Sequence, residues 1–296
     1  MAIVYVSPTG SDAYSYAQAQ SSSTPWATVG KCQTSATAGD TIILLNGIHT
    51  WETVAFTKNF IFLAQTYGSV FMEGNNAAIN WSHAFANPSP TFTDIIFQNA
   101  KTVVGANGDG IFSTRASATS CTFTFTNCKL LNMGVGSYAD FSNAVLGGAT
   151  GHAGNIITYN LIRTLITTYL ITTGSPSFYP ILSERNANGV VVNLLRSILS
   201  GVTGITGIFS GAGDYNTNAN TLFTVKNSIM YNPGTSFAWS NKTPYAKVCT
   251  YSGHYNVIAL ASGAGNLTSD PLFVDPAGGN YNLQPGSPYI GIGNNP

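Results

Sequence analysis

Acidic residues are sparse in this 296-residue chain, and three of them are spaced so that they could work together. Asp109 and Asp140 lie about thirty residues apart, and Asp214 follows further on. If the backbone brings the first two onto one face at roughly 5–10 Å, they could act as acid and base in glycoside hydrolysis. Glu184, beside Arg185, and Asp214 could join that cleft from later coils, and Asp94 stands alone earlier. The same residues have a plain structural reading. Asn107-Gly108-Asp109-Gly110 and Gly213-Asp214 have the composition of turns. His152, in Gly151-His152-Ala153-Gly154, reads as a loop or corner residue before it reads as a base. No catalytic role is assigned to any of them. The aromatics Trp51, Trp81 and Trp239 could form sugar-stacking platforms, or pack core and corners.

Metal and redox chemistry find less support. Cys32, Cys121, Cys128 and Cys249 form no Cys-x-x-Cys pair and have no His at metal spacing. They read as small buried hydrophobes, with a Cys121–Cys128 disulfide as the alternative. No metal or cofactor is expected. Asn80-Trp81-Ser82, Asn241-Lys242-Thr243 and Asn266-Leu267-Thr268 match the glycosylation triplet, as chance allows in an Asn- and Thr-rich chain.

The elements that must position these residues repeat along the chain. Thr122 to Asn132 reads as an alternating strand, an Asn corner and a second short apolar strand. Related stretches recur, and aligning their corners gives 99, 127, 163, 196, 227 and 256. Steps near thirty lie within the roughly 20–50 residues of stacked-repeat architectures. A second register is open around residues 155–200, with Asn160 and Asn193 as corners. The segments are short, rich in Thr, Val, Ile and Phe, and broken by Gly and Asn, which favours strands over helix pairs. Charged residues are only 7%. In a stack, equivalent residues lie over one another about 4.8 Å apart, so like charges repel while Asn, Thr and Ser form ladders. Arg163 and Arg196 in one corner column would break that rule.

Residues 1–50 read as an opening module. Thr24 is placed as the cap of a short helix with Pro25 at its first position, and Trp26, Val29, Cys32 and Ala36 on one face. Such a helix could cover the open end of a stack. Gly134 to Gly154 reads as an irregular excursion. Tyr5-Val6-Ser7-Pro8-Thr9-Gly10-Ser11-Asp12, then Pro25-Trp26, Ala38-Gly39-Asp40-Thr41-Ile42 and Asn46-Gly47, resemble the start of pectate-lyase-like right-handed parallel β-helix proteins. Asp270-Pro271-Leu272-Phe273, Tyr281-Asn282-Leu283 and Pro285-Gly286-Ser287-Pro288 resemble their final coil. The resemblance implies an all-β, single-stranded right-handed parallel β-helix, or solenoid, with a short N-terminal capping helix. The coils would run over 51–268 and the closing coil over 269–296, in one continuous domain.

This superfamily holds lyases, hydrolases, phage tailspikes, adhesins and inert surface proteins, so the resemblance does not fix a function. The clustered carboxylates of a calcium-dependent pectate lyase are missing here. So are the paired Asp and Arg-x-Lys of a polygalacturonase-type hydrolase. A neutral chain with pI about 6.9 lacks a basic patch for nucleic acid or a polybasic stretch for membrane. No signal peptide is visible. The expectation is a non-catalytic structural or recognition protein, most plausibly a phage virion component such as a capsid decoration or spike- or fibre-like protein. Its partners would be other virion proteins or a surface glycan, and a homotrimer is an assembly the resemblance allows. The alternative is an extracellular carbohydrate-active lyase or hydrolase, or a tailspike depolymerase. Thr122, Thr124 and Thr126 also share one face, as an ice-binding Thr ladder would require.

Overall fold

Alternation of Phe, Val, Ile and Leu with Thr and Asn gives each short strand one dry and one wet face. A single coil of such strands cannot bury its dry face, so the coils stack. The computed structural model describes residues 1–51, 57–74, 89–100, 112–113, 120–138, 141–143, 146–147, 152–170, 182–184, 187–200, 209–211, 222–231, 237–238, 246–255, 257–258 and 263–292. Within them the chain is a parallel β-helix. A first sheet of nine strands runs in chain order from Ile3–Val6 to Ala246–Thr250, each strand pairing parallel with that of the next coil. A second sheet runs in the same way from Gly47–Thr50 to Gly253–Tyr255. Phe112–Ser113, Leu146–Gly147, Leu182–Glu184 and Phe209–Gly211 form a third, shorter parallel sheet.

The core is a set of columns. In the first sheet Val4, Ile42, Phe62, Phe92, Phe125, Leu161, Leu194, Val225 and Cys249 lie in register, none more than 3% exposed. The rings of Phe62, Phe92 and Phe125 stack at 5.3 and 5.1 Å. Each buried side chain of this size contributes roughly 1.5–3 kcal/mol of transfer free energy. The second sheet supplies a facing column of Met72, Phe97, Leu130, Ile166, Leu199 and Met230.

The corner between the two sheets is a left-handed residue in coil after coil: Asp94, Asn127, Arg163, Arg196, Asn227 and Tyr251, with φ between 49° and 63°. Two of the expected corners therefore change. Asp94, not Asn99, holds the earlier corner, because Asn99 belongs to a second left-handed site after the next strand, one rung from Asn132. Asn256 lies outside the described residues, and Tyr251 takes the corner of that coil. Asn160 and Asn193 are not corners. They pair in register on the outer face of the first sheet, where Asn193 Nδ2 donates to Asn160 Oδ1 at 2.9 Å.

Just inside the corner runs a buried column of Cys128, Thr164, Ser197, Ser228 and Ser252. Each Ser or Thr hydroxyl donates to a carbonyl, as Ser197 Oγ does to Leu161 O at 2.9 Å. Ser197, Ser228 and Ser252 also accept the backbone N–H of the preceding rung, at 3.1, 3.1 and 3.3 Å. Small hydroxyls satisfy backbone groups that the tight corner would strand.

The helix spans Val29–Ser35, and Thr28 is its cap, its hydroxyl accepting from Lys31 N. Thr24 is not the cap, because Trp26 is held extended. Trp26 N donates to Tyr5 O, Trp26 O accepts from Ser7 N, and the residue bridges parallel to Val6. Trp26, Val29, Cys32 and Ala36 do share the buried side over the first coil. Gly134 to Gly154 is more regular than its composition suggests. Strand Lys129–Tyr138 runs into it and pairs antiparallel with Phe141–Asn143, Leu146–Gly147 joins the third sheet, and His152–Ile162 begins there.

Candidate functional site

The last coil turns back on the stack. Leu267 adds a parallel bridge beside Gly253. After the left-handed Leu272, strands Phe273–Asp275 and Asn280–Leu283 form an antiparallel hairpin. Its turn is fixed by Asp275 Oδ1, which accepts Gly278 N at 2.9 Å. Ser287 Oγ donates to Pro271 O, and the Tyr289 hydroxyl lies 3.2 Å from Leu267 O and 2.9 Å from Ser269 O. Tyr289 packs flush on Gly253, where a Cβ would stand 1.9 Å from its ring.

The hairpin meets the wet face of the second sheet through rings. Phe273 sits edge-on to Tyr231 at 5.2 Å and to Tyr281 at 5.2 Å, while Tyr231 stacks on Tyr255 at 5.7 Å. The closure is incomplete. A groove of about 310 Å³ remains between the hairpin and the corner column. Ile198 and Ile229 form its floor. Phe273, Tyr281, Leu283, Tyr289 and Ile292 form the tail side, and Arg196, Asn227 and Tyr251 the corner side. Burial raises the phenols of Tyr281 and Tyr289, the latter to about 12. Both stay neutral over any physiological range.

Of the residues singled out for chemistry, the described ones, Asp94, His152, Glu184 and Trp51, are not among those that line the groove. Asp109, Asp140, Asp214, Arg185, Trp81 and Trp239 lie outside the described residues. Glu184 ends a strand of the third sheet and His152 begins one of the first. Asp94 is a corner residue whose carboxylate accepts Asn127 Nδ2 at 2.6 Å, so its role here is structural. Trp51 is 8% exposed and edge-on to Phe97 at 5.8 Å, so it packs core. The four cysteines are free and buried, with no bond between Cys121 and Cys128. Burial raises the Cys121 and Cys128 thiols to about 12, which makes them inert. Asn80 and Asn241 lie outside the described residues, and Asn266 is engaged, bonding Ser252 N and Cys249 O.

Among the described residues no three His, Cys, Asp or Glu side chains gather as a metal site, and no helix is long and apolar enough to cross a membrane. The Thr ladder is short-lived: the column through Thr93 and Thr126 continues as Ile162, Leu195 and Lys226. The sequence signals the groove only through the tyrosines of the closing segment, which carry no period.

No family model matches the sequence, and no curated protein matches it. Among solved structures the chain is similar to a rhamnogalacturonan lyase, at 13% identity and a TM-score of 0.39, over 91% of this chain and 85% of that one. A likeness this distant carries no argument about activity. The parallel β-helix rests on the strand pairing itself.

Proposed function

We propose that this chain is a non-catalytic recognition protein that binds a surface glycan and is carried on a larger particle, a phage virion in the reading its sequence favours. The observation that supports this most is the groove. Tyr251, Phe273, Tyr281 and Tyr289 line a space that also holds the Arg196 guanidinium and the Asn227 amide. Flat rings offer stacking faces to sugars, and a few polar groups fix orientation through hydroxyl hydrogen bonds. Among the described lining residues there is no carboxylate or imidazole to act as acid or base. The wet face of the first sheet, with Thr91, Thr124, Asn160, Asn193 and Thr224 in one uncharged column, suits packing against neighbouring proteins without like-charge repulsion.

The test pairs calorimetric binding to a panel of bacterial surface polysaccharides with a reducing-end assay on the same panel. Wild type should bind at least one member without releasing reducing ends. Tyr281→Ala should lose that binding at least tenfold while its melting temperature moves little. Release of reducing ends by wild type would overturn the reading in favour of a polysaccharide lyase, hydrolase or tailspike depolymerase.

A further inference from the structure

Arg163 and Arg196 occupy adjacent places in the corner column, one strand spacing apart, with Arg163 N bonded to Leu195 O and Arg196 N to Lys226 O. Both are left-handed, at φ 50° and 53°, a conformation that costs Arg more than Asn. Both are exposed, and among the described residues neither guanidinium is ion-paired. Lys129 lies beside the ridge on the second sheet and Lys226 beside it on the first. Thus four of the chain's 11 Lys and Arg gather on one corner of a protein that otherwise avoids charge. The fold asks for none of this, since Asn127 and Asn227 make the same turn above and below. Left-handed strain and like-charge repulsion coincide at the two rungs that lead into the groove, where Arg196 forms part of the wall.

We propose that this ridge is an anion site and that the glycan of the groove carries tetrahedral ester groups, sulfate or phosphate. The proposal rests on the groove being a glycan site and adds the class of glycan. A planar carboxylate has one bidentate edge, which a single guanidinium fills. A sulfate or phosphate ester has enough terminal oxygens to engage two guanidiniums from neighbouring rungs. Lys129 and Lys226 would add point charge to either side, so that four cations outweigh the Asp94 carboxylate, which stands two rungs from Arg163 in the same column.

The probes are dextran sulfate, a phosphorylated mannan, polygalacturonate and neutral dextran, measured by calorimetry at low and high NaCl. Wild type should bind dextran sulfate or phosphomannan, at least tenfold more tightly than polygalacturonate, with affinity falling as salt rises. Whichever of the two binds more tightly identifies the ester. Arg163→Asn/Arg196→Asn should lose that binding at least tenfold while its melting temperature holds or rises, because Asn is at home in this corner. Lys31→Gln, which removes a charge from the capping helix, should bind as wild type. The proposal is overturned if the double variant binds as wild type, if Lys31→Gln loses as much as the double variant, or if polygalacturonate binds as tightly as the esters. Loss of ester binding in the Arg variant, with Tyr281→Ala still binding every glycan, would sink the groove reading and leave the ridge standing. Binding lost only in Tyr281→Ala would do the reverse.

Discussion

The two ends of the stack are finished in different ways. The first covers the dry columns of its terminal coil, whereas the closing hairpin folds back over the wet face of the second sheet. At the first end Trp26 is fully buried, its indole N–H donating to Tyr14 O at 2.8 Å. The Asp12 carboxylate takes three donors from Ala27 and Thr28, and Asp40, closed to solvent, takes three from Ala2, Tyr16 and Thr37. At the other end the chain folds back with rings, whose edges leave a groove of about 310 Å³. Saturated carboxylates and a seated indole make a seal. A hairpin of aromatic edges makes a cover with a slot, and a slot can admit a ligand.

The largest effect should come from breaking the seal. Trp26→Ala removes a fully buried indole and its hydrogen bond, and should cost about 3–5 kcal/mol in urea unfolding. The groove lies at the far end, so glycan binding should persist in whatever fraction stays folded. A cost below about 1 kcal/mol would show that the first coil stands without its plug.

The second effect attacks the cover. Gly253→Ala drives a methyl into the Tyr289 ring and must displace it, along with its bonds to Leu267 and Ser269. The expected cost is about 1–3 kcal/mol, together with loss of glycan binding. Adding Tyr289→Ala should recover much of the stability, as contacting residues couple, but not the binding. Additive costs would mean that the two residues do not share the site. In the corner column beside the groove, Ser197→Ala strands the Thr164 N–H and should cost about 1–2 kcal/mol, which circular dichroism melts would check.

The sequence made the stack legible because its corners demand unusual backbone. Asn marks left-handed positions, so 127 and 227 are legible by type, while at 163 and 196 Arg stands in the corner with Asn160 and Asn193 as rivals, and the strand register decides between them. The first corner slipped because Asn99 and Asp94 are both left-handed, so residue type could not tell one corner from the next. Tyr251 slipped because the backbone of its neighbours, not its own preference, holds it there. The helix start slipped because Thr24-Pro25 copies a cap while Trp26 pairs with a strand. The groove was illegible for a different reason. It joins Arg196 and Asn227 to Tyr281 and Tyr289 through a chain reversal that breaks the repeat, and reversal leaves no period to read.

The smallest effect sharpens the contrast between the ends through pH. Burial by itself would raise the Asp40 carboxyl, but the hydrogen bonds from Tyr16, Ala2 and Thr37 outweigh it and hold the group below its ordinary value. A lowered folded value means stability that is present above the unfolded carboxylate range, near pH 4, and lost as pH falls through the folded value. The opposite sign holds for Tyr289. Raised by burial to about 12, it contributes stability that is full below about pH 10 and lost as pH rises through about 12. Base cannot separate the ends, since the hydrogen bond to Asp40 also raises the Tyr16 phenol. Acid can. Hydrogen exchange at pH 3 should speed at the Ala2 and Thr37 amides relative to pH 7, after correction for intrinsic rates, while the His254 and Leu267 amides hold. Asp40→Asn should flatten the acid response of the first end. Equal loss of protection at both ends would show that the seal does not depend on its carboxylate.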